Sequence, residues 1–183
     1  MNTIRLWASS LLEHLTDDDE VIIVDGESTD GSRQFLEQLS REHGFRLICQ
    51  KTNIGQARQL ALQHATGQYV ISQVDTDDVV VSLGEAKRLY HEAVETDPVT
   101  GLQRAFMSPD FFIVPRAMLL EIGGFPDLAY YEDQLVYYRL AIQGRLTGSW
   151  KVSPVVRRND PKKRRLGFRI LRTTVRIRDG LRL

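Results

Sequence analysis

The sequence predicts an α/β fold with a mostly parallel central sheet flanked by helices. Two observations predict it. Short apolar, often β-branched runs alternate with stretches of helical periodicity. Clusters of turn-forming residues separate them. Residues 2–16 space Ile4, Trp7, Ala8, Leu11 and Leu15 as one helical face. Val21 to Val24 is continuous and β-branched, as a buried parallel strand requires. The run Asp25 to Ser32 (DGESTDGS) is a loop, and the helix after it carries Phe35, Leu36 and Leu39 and stops at Gly44. Phe45 to Cys49 reads as a strand, and Asn53 caps a helix through Ile54, Ala57, Leu60, Ala61 and Ala65, closed by Gly67. Tyr69 to Val74 is a third strand. Ser82 and Glu85 form a capping box for a helix to about Glu95, ended by Asp97-Pro98. Phe111 to Val114 is a strand, Pro115 opens a short helix ending at Gly123-Gly124, and Glu132-Asp133 begin a helix reaching Gly144. Trp150 to Arg157 is the last strand expected.

The length of 183 residues suits one domain, here 1–157, with a short appendage, 158–183. With 42% hydrophobic and 26% charged residues the composition is that of a globular chain. The net charge of zero hides a division. Twelve of the 24 basic residues, but only two of the 24 acidic ones (Asp160 and Asp179), lie from Lys151 onward. The body therefore carries −10 and the tail +10. Residues 162–165 (KKRR) precede Leu166, Ile170, Leu171, Ile177 and Leu181. That segment reads as a basic amphipathic helix, suited either to an anionic membrane surface or to the acidic body itself. Nucleic acid is a poorer partner, because no aromatic platform accompanies the arginines. One cysteine, Cys49, leaves no internal disulfide framework and reads as core, and Met1 to Leu12 lacks the features of a signal peptide. The expected location is cytoplasmic, with the inner face of the cell membrane as the alternative if the tail meets an anionic surface.

Ligands of open α/β sheets bind beyond the carboxyl ends of the strands. Asp25 lies at one such end, and Asp75, Asp77 and Asp78 crowd another. Loops favour aspartate for its turn chemistry alone, but three carboxylates within four residues repel unless a cation or solvent screens them. Hard oxygen ligands suit Mg²⁺ or Mn²⁺. His14, His43, His64 and His91 are scattered, and no nucleophile elbow accompanies them, which argues against a hydrolase triad. Tyr130, Tyr131, Tyr137 and Tyr138 surround Asp133 and serve either packing or an acceptor groove.

Several segments together carry a resemblance. Val24 to Ser32 (VDGESTDGS) resembles the V-D-D/G-G-S-T-D-G-S/T loop of glycosyltransferase family 2, whose catalytic domain has the GT-A fold. Asn53-x-Gly55 with Ala65-Thr66-Gly67-Gln68-Tyr69 is similar to its N-x-G…A-x-G-x-Y stretch, Asp75-Thr76-Asp77-Asp78 stands at its D-x-D, and Gly123-Gly124-Phe125 with Glu132-Asp133 resembles its G-G-F…E-D segment. The resemblance implies a nucleotide-sugar donor, a hydroxyl acceptor for which a lipid-linked one would suit the tail, and a divalent metal, Mg²⁺ or Mn²⁺. It implies an inverting transfer. By position it gives Asp25 to the donor base, Asp75 to the donor ribose or sugar and the metal, Asp77 to the metal, and Arg58 to the base or phosphates. Asp133 becomes the base that deprotonates the acceptor. Three features depart from the pattern. The family's usual first strand and its Pro/Thr/Asn loop do not precede the opening helix, so an N-terminally truncated domain is expected. Glu27 replaces a Gly, and no Q-x-x-R-W follows. Two other functions compete: a haloacid-dehalogenase-type phosphohydrolase, from Asp75-Thr76-Asp77-Asp78-Val79, and an inactive truncated domain acting as a binding module.

Overall fold

The computed structural model describes residues 2–72, 74–76, 78–95, 101–109, 111–148 and 156–158. Six helices, α1 (Asn2–Leu12), α2 (Ser32–His43), α3 (Ile54–His64), α4 (Leu83–Glu95), α5 (Arg116–Glu121) and α6 (Glu132–Ile142), alternate with eight strands among the described residues. The strands are β1 (Ile22–Asp25), β2 (Arg46–Cys49), β3 (Tyr69–Ser72), β4 (Asp78–Val80), β5 (Ala105–Met107), β6 (Phe112–Pro115), β7 (Leu146–Gly148) and β8 (Val156–Arg158).

Period-two alternation divides the strands between two apolar layers. On β6, Phe112 and Val114 pack with Leu62 of α3, Met118 and Leu119 of α5, and Val136 and Leu140 of α6. Ile113 turns the other way, to Ala86 and Tyr90 of α4. Ile71 joins that second side, which runs on into the cluster of Ile4, Trp7, Ala8 and Leu11 of α1 with Leu36 and Leu39 of α2. The result is a three-layer α/β body with α1, α2 and α4 on one face and α3, α5 and α6 on the other. Every residue of β6 is buried, which is why its sequence is apolar without interruption.

The pairing of neighbouring strands is mixed. β1 pairs β2 and β5 pairs β7 in parallel, while β3–β6, β5–β6 and β4–β8 are antiparallel. The expectation of parallel pairing assumed that each helix returns the chain in the same direction. Strand β6 departs from it, running against both β3 and β5, so that β3, β5 and β7 share one direction; strands β4, β5 and β7, of three residues each, are too short to show a period. Of the expected last strand, residues 150–155 lie outside the described residues; Val156–Arg158 pairs with β4.

Among the described residues the strands form separate hydrogen-bonded groups, β1-β2, β3-β6-β5-β7 and β4-β8. Glu20, just before β1, bridges the first two by accepting hydrogen bonds from the Thr66 and Gly67 amides just before β3. Buried Ser10 ties α1 to β4, donating to the Trp7 carbonyl (2.8 Å) and accepting from the Val80 amide (3.0 Å). Among the described residues no helix is long and apolar enough to cross a membrane.

Candidate active site

The site is assembled from the carboxyl ends of β1 and β3, the first half of α3, and the turn that leads into α6. Helix α3 starts where the sequence says it should. The Asn53 side chain accepts from the Gln56 amide (2.8 Å), and Gln56 returns the bond to the Asn53 amide (3.1 Å), a complete capping box. The same two side chains reach across to Asp127, Asn53 Nδ2 at 2.6 Å and Gln56 Nε2 at 2.9 Å. The Gly55 amide donates to the Leu128 carbonyl at 3.0 Å. A Cβ on Gly55 would lie 2.1 Å from the Pro126 carbonyl oxygen, so only glycine permits this approach.

One turn along the helix, Gln59 Oε1 accepts from the Phe125 amide at 2.8 Å. Gly124, at φ +67°, has no room for a Cβ beside Gln59. From the other side Arg139 of α6 donates to the carbonyls of Ile122 (3.1 Å) and Gly124 (3.4 Å). The Asn53-x-Gly55 and Gly123-Gly124-Phe125 segments, some seventy residues apart, are thus one clamped unit.

This clamp aims Arg58 into the site. Its side chain is 15% exposed and its Cζ lies 5.9 Å from the Phe125 ring centroid. Nη1 is 2.7 Å from Glu132 Oε1, and Nη2 is 3.8 Å from Asp75 Oδ1. The closer contact is a charge pair rather than an aligned hydrogen bond. Glu132, the first residue of α6, has a side chain only 6% exposed. Burial pushes the Glu132 carboxyl above its usual range. The Arg58 charge pulls it back, and Asp133 and Asp75 push it up further, so that the net shift is upward. The carboxyl group of Asp133 is half-buried in the same first turn and accepts from the Gln134 amide at 2.7 Å.

The structure brings together Arg58, Asp75 and the Glu132-Asp133 turn. Asp25 is buried at the end of β1 and accepts from the Ser28 amide (3.1 Å to Oδ2), so its described hydrogen bonds shape its own loop. Asp77 lies outside the described residues. Asp78 opens β4, buried, its amide donating to the Asp75 carbonyl (3.0 Å). Asp75 is half-exposed at the strand end, which fits a hard cation that keeps water and phosphate oxygens among its ligands. No cluster of three or more His, Cys, Asp or Glu is gathered among the described residues. Cys49 is half-buried rather than core.

Sequence reasoning gave Glu132 no role of its own, placing it only at the start of the helix beside Asp133. The available signal was a long carboxylate paired in position with a lone arginine on the glycine-clamped helix. Of the tyrosines, Tyr137 packs edge-on against Phe112, with ring centroids 4.9 Å apart. Tyr130 and Tyr131 are exposed beside Glu132.

A clamped α3, acidic strand ends and a helix opened by paired carboxylates define an α/β domain of the nucleotide-diphospho-sugar transferase type. Residues 2–150 match the profile of Glycosyl transferase family 2, and the chain belongs to that family. No match was found among curated protein sequences. The fold is similar to that of S. aureus TarS at TM-score 0.66 and 19% identity, over 84% of this chain and 34% of that one. It is also similar to the mannosyltransferase PcManGT of Pyrobaculum calidifontis in complex with GDP-Man and Mn²⁺ (TM-score 0.63, 20% identity, 81% of this chain and 51% of that one). A third similar structure is S. aureus TarS 1-349 in complex with UDP, at TM-score 0.62 and 20% identity over 85% and 56% of the two chains. The chain thus spans between a third and somewhat over half of the length of these structures. The family match leaves the phosphohydrolase alternative without support, and its aspartate would have to follow the first strand, whereas Asp75 follows β3.

Proposed function

We propose that the chain is a glycosyltransferase that moves a sugar from a nucleoside-diphosphate sugar to a hydroxyl acceptor with inversion. One observation carries the reading: Arg58 stands between Asp75 at a strand end and the acidic turn of α6. Such a site offers a donor side and an acceptor side a few ångströms apart. Asp75, with Asp77, would hold Mg²⁺ or Mn²⁺, whose chemistry is to neutralise charge growing on the departing diphosphate. Arg58 adds a fixed cation on the same side. Asp133 takes the proton from the acceptor hydroxyl as that oxygen bonds to the anomeric carbon and the bond to the diphosphate oxygen breaks. Asp25 lies at the mouth of the β1 loop, where the base of the donor is expected. The GDP-Man, Mn²⁺ and UDP of the similar structures are consistent with this donor class. The acceptor reading, a lipid-linked hydroxyl reached from an anionic membrane surface through residues 158–183, rests on the charge of that segment.

The test is release of nucleoside diphosphate from a panel of UDP- and GDP-sugars with Mn²⁺, in the parent and in Asp133→Asn. The variant should lose about 10²–10⁴ in rate and keep its affinity for the nucleoside diphosphate. A parent that binds neither nucleotide and releases none would leave the inactive binding module as the better account. An Asp133→Asn variant as fast as the parent would move the base elsewhere.

A further inference from the structure

Glu132 is an expensive way to begin a helix. A capping carboxylate works on the surface, where its charge stays hydrated. A carboxylate taken out of water is tolerated when a partner charge meets it, and that arrangement commonly serves position rather than stability. Here the partner is Arg58, 2.7 Å away, and the same guanidinium lies 3.8 Å from Asp75. The arginine is shielded by the Phe125 ring, and Phe125 is itself bonded to α3 through Gln59. Arg58 thus lies between Asp75 and Glu132, and the closer, more buried anion sets its resting direction.

We propose that Glu132 is a positioning residue, whose buried carboxylate holds Arg58 beside Asp75 so that the arginine meets the diphosphate of an incoming donor already oriented. The idea rests on the donor reading above for its consequence, though not for the ion pair itself. Glu132 touches no reacting atom; it acts through Arg58, and it links the opening of α6, which carries Asp133, to the donor side of the site.

A four-protein cycle tests this: the full chain, Glu132→Gln, Arg58→Gln and the double variant, with Glu132→Asp as a charge-keeping control. UDP and GDP affinities with Mn²⁺ are measured by calorimetry, and the Arg58 Nε–H signal is followed by NMR. Each single variant should weaken nucleotide binding about tenfold. The double variant should be no weaker than Arg58→Gln alone, because Glu132 acts only through that residue. The Arg58 signal should shift and exchange faster in Glu132→Gln and be largely restored in Glu132→Asp. Losses that multiply in the double variant would overturn the proposal. So would a Glu132→Gln protein with parent-like affinity and an unmoved Arg58 signal. If the parent binds neither nucleotide, the donor reading fails, and the NMR comparison alone then decides whether Glu132 sets Arg58.

Discussion

Glu27 follows Gly26 in the loop after β1 and adopts φ +69°, the left-handed region. A side chain there costs about 1 kcal/mol of steric strain, and this is the position where the sequence departs from a family glycine. Glu27→Gly relieves that strain but frees the unfolded chain, so the net gain should be about 0.5 kcal/mol. Thermal unfolding of the two proteins reads it directly. A lower midpoint for the glycine variant would mean that the Glu27 side chain makes a compensating contact. At this scale the sequence was only half legible. The aspartates could be placed because carboxylates at strand ends have a chemistry of their own. Gly55 matched a pattern without a reason, since the Pro126 and Leu128 carbonyls that forbid a Cβ come from more than seventy residues away. Glu132 was given no role for a similar cause. Its burial depends on Arg58, and nothing near it in sequence announces a buried charge.

Among the elements, β1 and β3 show the physical consequence of separate hydrogen-bonded groups. The Val21 and Asp25 carbonyls accept from the Arg46 and Gln50 amides (2.9 and 3.0 Å). By the alternation of a parallel ladder, Ile23 faces β2 as well, and Ile22 and Val24 turn their backbone groups the other way. On β3, the Gln68 carbonyl accepts from the Arg116 amide at 2.8 Å, which makes Val70 and Ser72 the hydrogen-bonded partners of Val114 and Phe112. Tyr69 and Ile71 then face away from β6. Amide exchange should follow that parity, with Ile22, Val24, Tyr69 and Ile71 exchanging faster than Ile23, Asp25, Val70 and Ser72. Slow exchange at both parities would show that another strand covers these edges in solution. Helices were read well because their caps are local: the Asn53–Gln56 box and Ser82 Oγ accepting from the Glu85 amide (3.0 Å) are both present. Strand β6 was legible because both its faces are buried. Three-residue strands carry no period, so β4, β5 and β7 could be found only by their partners.

The acid response of the whole molecule follows from two further carboxylates that fasten its elements together. Burial works to raise Asp19, but the Lys87 side chain (2.7 Å) and the Thr16 bonds outweigh it and leave its carboxyl below the usual range. Glu20 is lowered as well: burial pushes up, and the Thr66 and Gly67 amides with the Thr66 hydroxyl pull down further. A depressed native pKa gives stability that is present above the unfolded value and is lost as pH falls through the folded one. Glu132 has the opposite sign. Its raised native pKa makes the charged form the unfavourable one, so its contribution improves as the pH drops below its folded value. Acid should therefore loosen the contacts of the 16–20 loop with α4 and with the α3–β3 turn before it disturbs the Glu132 turn. Urea titrations at neutral pH and near pH 3 should show Glu20→Gln destabilising the protein at neutral pH and close to the parent in acid. A loss of equal size at both would mean that Glu20 acts through shape rather than charge.

Charge is divided sharply along the chain. The body holds −10 and the stretch from Lys151 onward +10, and residues 158–183 alone contain ten basic and two acidic side chains. Each Lys or Arg near an anionic bilayer contributes about 1 kcal/mol, so several acting together are enough to recruit a chain of this size. The acidic body cannot approach the same surface except through that segment. A protein ending at Asp160 keeps β8, and with it the pairing of Val156–Arg158 to β4. It should therefore stay folded while losing most of the excess positive charge. The full chain is expected to sediment with vesicles containing about one-third anionic lipid at low salt and to release near 1 M salt, where screening falls to about 3 Å. The shortened protein should remain in the supernatant under both conditions, with an unchanged unfolding midpoint. Vesicle binding by the full chain that ignores salt would point to apolar insertion instead, and absence of binding would assign the basic segment to the acidic body.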